Sequence, residues 1–461
     1  MSDTRREADF LGEVEVPADA YFGAQTWRAV HNFPISGLRQ PAVLIRALAE
    51  IKKAAALVHK DLGALKPAVA DAIAQAADEV IAGRHDDQFV VDVFQAGAGT
   101  STHMNINEVL ANRAAELLGG ERGTYDLVHP NDDVNKGQST NDVFPTAMRI
   151  AALLVLPKLV GELRDLAGAL WQKADAFADI AKSGRTHLQD AVPVTLGQEF
   201  SGYAAAVERA AEHTEEQAEA LRDLGIGGSA TGTGLNTRPQ YRRRIVQRLA
   251  DQTGLELQAS DNLFEAMQSM APFVRVSGAL RATAMELGRI ANDLRLLSSG
   301  PTTGLAEIRL PAVQPGSSIM PGKVNPVVAE CLNMIGFQVL GNDACIQQAA
   351  GAGQLELNVM MPVIGYDLLW SIEILTNGVH MLRERCIAGI EADADACAHY
   401  LHATLGLATV LNPKIGYHRA AEVTREAAAT GQTIREVVLA KGLVTAEEFD
   451  ALLAQSLQPK E

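Results

Sequence analysis

Between Gly316 and Pro326 the chain reads Gly-Ser-Ser-Ile-Met-Pro-Gly-Lys-Val-Asn-Pro. Two glycines and two prolines in this span exclude a regular helix or a central strand, so it is a loop. It carries two hydroxyls (Ser317, Ser318), an ammonium (Lys323) and a side-chain amide (Asn325). Glycines let a backbone approach a ligand closely and present its N–H groups. Lys323 supplies a point charge and Asn325 a neutral donor, a pair suited to one carboxylate. Ser317 or Ser318 becomes a nucleophile or a base if its pKa is lowered. A plain surface loop before a helix is the competing reading. A helix-like apolar pattern resumes directly afterwards, from Val327 through Leu340.

The whole string resembles the signature loop of the aspartase/fumarase superfamily, Gly-Ser-Ser-x-Met-Pro-x-Lys-x-Asn-Pro, and every specified position matches. Three other stretches are similar to segments of that family. Gly97-Ala98-Gly99-Thr100-Ser101 precedes Asn105-Ile106-Asn107-Glu108-Val109. By itself the first reads as an ordinary loop and helix cap. His129-Pro130-Asn131-Asp132 leads into Gln138-Ser139-Thr140-Asn141-Asp142, a polar run before an apolar one. That order gathers polar groups at a helix entrance, where N–H groups point outward. Gly184-Arg185-Thr186-His187-Leu188-Gln189-Asp190 is the third. Gly227 to Asn236 is also family-like and reads as close packing between helices.

The resemblance covers essentially the whole chain and implies β-elimination from a four-carbon dicarboxylate to give fumarate. Removing a proton beside a carboxylate places two negative charges on one carboxyl group, so the barrier is mostly charge stabilisation. By resemblance, Ser317 is the base, acting as an alkoxide. Thr100, Ser139, Thr140 and Ser318 are donors to the enediolate. Lys323, Asn325 and Thr186 hold the other carboxylate. Asn141 and His187 face the leaving group, and Glu330 pairs with His187. The His129 segment is similar to a secondary anion site of fumarases and is given no catalytic role. The resemblance further implies a homotetramer with a many-helix core and sites shared among three subunits. No metal and no cofactor are expected.

Within the family, some residues favour ammonia over water as the leaving group. They are Thr140, Gly353-Gln354-Leu355-Glu356-Leu357-Asn358 and Asp190-Ala191-Val192-Pro193. His129-Pro130-Asn131-Asp132-Asp133, Met361 and Gly137 point away from it. The expectation is an ammonia-lyase acting on L-aspartate, with a class II fumarate hydratase as the alternative.

These groups must be positioned by a chain of 461 residues, too long for one compact core. Aromatics make up only 5% of it while Ala and Leu are plentiful, which favours helix. Residues 1–139 read as a mixed, mostly helical domain opening with an extended arm, with helical patterns near 41–62, 66–82 and 104–118. Residues 140–395 read as a bundle of five long helices near 143–180, 195–223, 263–299, 325–350 and 361–390. Residues 396–461 read as a small helical domain, in which Thr433…Glu436 and Thr445…Glu448 are capping boxes. The fold class is therefore mainly α. In the fourth long helix Val327, Val328, Cys331, Leu332, Met334, Ile335, Phe337, Val339 and Leu340 nearly encircle the axis. A helix apolar all round must be buried all round, which implies homo-oligomerisation.

The formal net charge of −16 argues against nucleic-acid and anionic-membrane partners. It also requires any dicarboxylate site to concentrate its own positive charge, as Lys323 would. Four cysteines without metal-ligand spacing suggest reduced thiols. A charged N-terminus and no apolar run long enough to span a bilayer suggest a cytoplasmic protein.

Overall fold

The computed structural model describes residues 3–458. An N-terminal hairpin, β1 (Thr4–Asp9) and β2 (Gly12–Pro17), supplies the expected extended arm. Helices α1 (Ala24–Asn32), α2 (Ala42–Asp61), α3 (Pro67–Ile81) and α4 (Thr100–Leu117) follow. The first long helix is α5 (Thr140–Ala176), and hairpin β3 (Ala181–Thr186) and β4 (Gln189–Thr195) comes next. The remaining long helices are α6 (Leu196–Ala218), α9 (Ala271–Leu297), α10 (Val327–Gly351) and α11 (Met361–Arg385). Between α6 and α9 lie α7 (Tyr241–Thr253) and the short α8 (Leu263–Gln268). The tail is α12 (Ala394–Ala403), α13 (Asn412–Thr430), α14 (Ile434–Ala440) and α15 (Ala446–Ser456). Both capping boxes are present, at Thr433–Glu436 and Thr445–Glu448.

Three differences from the sequence reading have local causes. The pattern at 263–299 is two helices, because Pro272 at the second position of α9 has no N–H to continue the ladder. The β3–β4 hairpin turns on His187 and Leu188, both with positive φ (54° and 58°). These positions lack the Asn-Gly signal that marks such two-residue turns. Helix α5 runs through Pro145 and Pro157, as the 143–180 pattern implies, although no apolar run long enough to span a bilayer was expected. It is thus long and apolar enough to cross a membrane by length and composition alone. Since 78% of its most apolar window is buried within the protein, packing accounts for that apolarity.

By compactness the chain divides into two units, and the dividing points fall inside the five long helices. The first comprises the described part of Met1–Val160 with Glu212–Ala282 and Phe337–Leu375. In it α2 packs on α3 and α7, and α3 on α4. Glu79 of α3 forms a two-point ion pair with Arg113 of α4. The second comprises Gly161–Ala211, Thr283–Gly336 and the described part of Thr376–Glu461. Its tail has its own core, centred on Leu411, Val438 and Phe449. The apolar surface of α10 is only partly covered within the chain. Leu332 and Val339 are buried, whereas Met334 and Phe337 are 62% and 69% exposed.

Candidate active site

The first unit brings the N-termini of α4 and α5 together. Gly99 caps α4 in a left-handed conformation (φ 86°), and a Cβ there would lie 2.4 Å from the Phe144 ring of α5. Only glycine permits that approach. One turn into α4, His103 Nδ1 lies 2.7 Å from Thr140 Oγ1 at the start of α5. Thr100 stands exposed at the first position of α4. Ser139 and Thr140 are half-buried. Hydroxyls at two converging helix N-termini, where unpaired N–H groups and the helix dipole both favour negative charge, make a cradle suited to a carboxylate.

Asp142 builds that cradle from behind. Its Oδ1 accepts the Ser139 N–H, and its Oδ2 accepts those of Gly227 and Ser229. Ser139 Oγ in turn accepts the Asn141 N–H, so the start of α5 is capped reciprocally. The glycine-rich turn at 227–236 is thereby folded against the α5 entrance. Gly227 has φ 91°, and a Cβ there would lie 2.9 Å from Arg242 Cβ. Asn141 Nδ2 donates to Ala230 O at 2.8 Å. Its Oδ1 accepts no hydrogen bond among the described residues. Burial raises the Asp142 carboxyl to about 6 against the three N–H donors that favour its charged form.

The second unit holds the other candidates. Thr186 and His187 are exposed at the tip of the β3–β4 hairpin. A histidine with φ 54° is a strained choice, on the order of 1–2 kcal/mol for an L-residue. Behind the tip the hairpin is anchored by charge. Lys182 lies 2.7 Å from Glu307 and 2.8 Å from Glu199, and Arg185 is 3.0 Å from Glu307. Lys182 and Glu307 are both buried. Removing one partner of such a pair costs about 3–5 kcal/mol, since the other is left buried and uncompensated.

The Gly316–Pro326 loop is an exposed turn closed at its base. Gly316 N donates to Lys323 O, and Asn325 Nδ2 donates to Gly316 O at 2.7 Å. A Cβ on Gly316 would sit 2.7 Å from Lys323 O, so glycine is required there. Ser317 Oγ accepts two backbone N–H groups, from Ile319 (3.2 Å) and Met320 (3.0 Å). Donors aimed at a hydroxyl oxygen stabilise its alkoxide. Ser318 and Lys323 are exposed, and Lys323 makes no ion pair among the described residues. Asn325 uses one of its two amide N–H groups to close the loop, and the other has no partner among the described residues. Glu330 is half-buried in the first turn of α10. Among the described residues no hydrogen bond or ion pair joins it to His187 within the chain.

Comparison with known proteins places this arrangement. The family described as Lyase matches residues 12–341, and Fumarase C C-terminus matches residues 407–456. The chain belongs to the aspartase/fumarase superfamily. It is a lyase of that family. An aspartate ammonia-lyase of Bacillus subtilis (strain 168) is 49% identical over 453 residues, 98% of this chain and 95% of that protein. A class II fumarate hydratase of Thermosynechococcus vestitus is 50% identical over 450 residues, 97% of this chain and 96% of that protein. The solved fumarate lyase:delta crystallin from Brucella melitensis bound to cobalt superposes with a TM-score of 0.95. It is 50% identical and covers 98% of this chain and 99% of its own. The mainly α fold of the superfamily is thus the fold of this chain.

Superfamily motifs pick out the hydroxyls, the ammonium and the amides of these loops but pass over the buried side chains that hold them. Lys52, His103 and Asp142 were not singled out by spacing, although all three are buried beside the cradle. For Lys52 the signal is a charge inside an otherwise apolar helical stripe, whereas His103 and Asp142 sit in polar runs that give no sign of their burial. His129 is self-contained, its Nδ1 accepting the N–H groups of Asn131 and Asp132. It lines a cavity with Glu7, Asp9 and Arg28.

Proposed function

We propose that this lyase eliminates ammonia from L-aspartate to give fumarate. The observation that carries the reading is Asn141. One of its two amide N–H groups is bonded to Ala230 O, and Oδ1 accepts no hydrogen bond among the described residues, which leaves an acceptor at the α5 entrance. An ammonium has only donors to offer and is matched by such an acceptor. In this reading Ser317, with two N–H groups on its oxygen, takes the proton from the carbon next to one carboxylate. The electron pair passes into that carboxylate as an enediolate, held by Thr100, Ser139, Thr140 and Ser318. Collapse of the enediolate forms the double bond and breaks the C–N bond, releasing ammonia. Lys323, Thr186 and Asn325 hold the other carboxylate, Asn325 through the amide N–H that does not close the loop. His187 faces the leaving group with Asn141, and Glu330 orients its ring. No metal or cofactor takes part in these steps.

The reading includes a cytoplasmic homotetramer whose sites combine residues of several subunits. The exposed Met334 and Phe337 of α10 and Met285 of α9 (58%) support an assembly that covers them. The absence of a His187–Glu330 pair within one chain, among the described residues, agrees with partners drawn from another subunit.

A class II fumarate hydratase is the second reading, favoured by the His129-Pro130-Asn131-Asp132-Asp133 segment and by relatives of that name at equal identity. The test is ultraviolet detection of fumarate from purified protein given L-aspartate or L-malate. Fumarate from aspartate alone, with equal ammonia, is the expected result. Fumarate from malate alone overturns it in favour of the hydratase.

A further inference from the structure

Lys52 is fully buried in the middle of α2. Its Nζ has three neighbours within hydrogen-bond distance: His103 Nε2 at 2.6 Å, Asn135 Oδ1 at 3.0 Å and Gln138 Oε1 at 3.0 Å. Both amides are held with their oxygens toward Nζ. Asn135 Nδ2 donates to Gln138 O, and Gln138 Nε2 donates to Val134 O and Lys136 O. A lysine ammonium has three donors and no acceptor, which matches two amide oxygens and a ring nitrogen that accepts in one of its two tautomers. An amine would leave one of these three without a donor unless His103 donated to it. Burial pushes Lys52 well down from the usual lysine range, and the Asp142 carboxylate opposes that shift. Burial, reinforced by the Lys52 charge, pushes His103 well down as well, which keeps its ring neutral.

A neutral imidazole carries one proton. With Nε2 accepting from Lys52, that proton is on Nδ1, which then donates to Thr140 Oγ1 at 2.7 Å. A hydroxyl whose oxygen already accepts from behind is free to aim its own proton outward. The opposite tautomer would receive the Thr140 proton and turn the hydroxyl away from a ligand. We propose that Lys52 and His103 are positioning residues that force the Thr140 hydroxyl to act as an outward donor to the substrate carboxylate. The inference rests on the reading of Thr140 as a carboxylate donor. It assigns the reaction a buried determinant two bonds removed from the substrate. Fixing the proton beforehand avoids reorganisation when charge develops, which is where preorganised donors gain their effect.

Neutron diffraction from crystals of the whole, perdeuterated protein reads the proton positions without any turnover. Three deuterons on Lys52 Nζ, one on His103 Nδ1 and a Thr140 O–D directed away from His103 are expected. A deuteron on Nε2, with Thr140 donating to Nδ1, overturns the proposal. A double-mutant cycle then asks whether Lys52 acts through Thr140. Lys52→Met should lower kcat/KM by about 10²-fold, the usual effect of losing one such donor. In a Thr140→Val background the same change should cost less than about 3-fold, because the donor is already gone. Equal losses in both backgrounds would reduce Lys52 to a structural residue and overturn the proposal. Should neither L-aspartate nor L-malate be turned over, the functional reading fails while the proton map still decides this inference.

Discussion

The cradle at the start of α4 and α5 and the Gly316–Pro326 loop carry comparable hydroxyl chemistry in opposite settings. In the cradle the Thr140 hydroxyl rests on the buried His103 and the Ser139 backbone N–H on the buried Asp142, while the exposed Thr100 bonds Gly97 O. In the loop, Ser318 and Lys323 are exposed, and Ile319 is 83% exposed. Ser317 draws its two donors from its own next turn rather than from the core. The difference teaches where each part of an elimination can be kept. Charge-stabilising donors gain by being fixed in advance, and a packed interior fixes them. A base and a substrate anchor must admit the ligand, and an exposed turn can do so.

The sharpest way to break this comparison is Ser317→Ala. If the loop contributes chemistry and no core stability, kcat falls by at least about 10³-fold while Tm stays within about 1 °C. A matching fall in Tm, measured by calorimetry, would show that the loop supports the core after all.

The converse change belongs to the scaffold. Glu79, only 10% exposed, is held by Arg113 down to about 2. A carboxyl with a depressed folded pKa contributes stability above its unfolded value, near 4.5, and loses it as pH falls through the folded one. The shift corresponds to at most about 3 kcal/mol. Glu79→Gln should therefore destabilise the protein by roughly 2–3 kcal/mol at pH 7, with kcat unchanged at temperatures where the variant is folded. The gap should close between pH 4.5 and about 2, as followed by denaturant titration. A gap that persists at pH 2 would mean that packing, not charge, carries the contribution.

The smallest effect is expected at Gly322, whose φ of 80° is unfavourable for any L-residue although nothing crowds its Cβ position. Gly322→Ala should cost the loop about 1 kcal/mol. That appears as a rise of about 5-fold in KM with Tm unchanged. A lowered Tm would again contradict the contrast.

The sequence analysis placed four of the five long helices and both capping boxes to within a few residues, because apolar periodicity and cap residues are local signals. The Pro272 break and the His187–Leu188 turn were less legible. The first depends on where a helix restarts, the second on a strained backbone that the residue types disfavour. The apolar ring of α10 led to the expectation that it is buried all round, whereas in the single chain Met334 and Phe337 are exposed.

By itself the sequence determined the superfamily, since a loop such as Gly316–Pro326 writes its turn and its functional groups in consecutive letters. Only the tertiary structure decided how those groups are held. Lys52, His103 and Thr140 lie far apart in the chain and meet through packing of α2, α4 and the start of α5. Nothing about a lysine or a histidine in a helix tells which partner it will find. A buried polar group is defined by the acceptors and donors around it, and those are supplied by the fold.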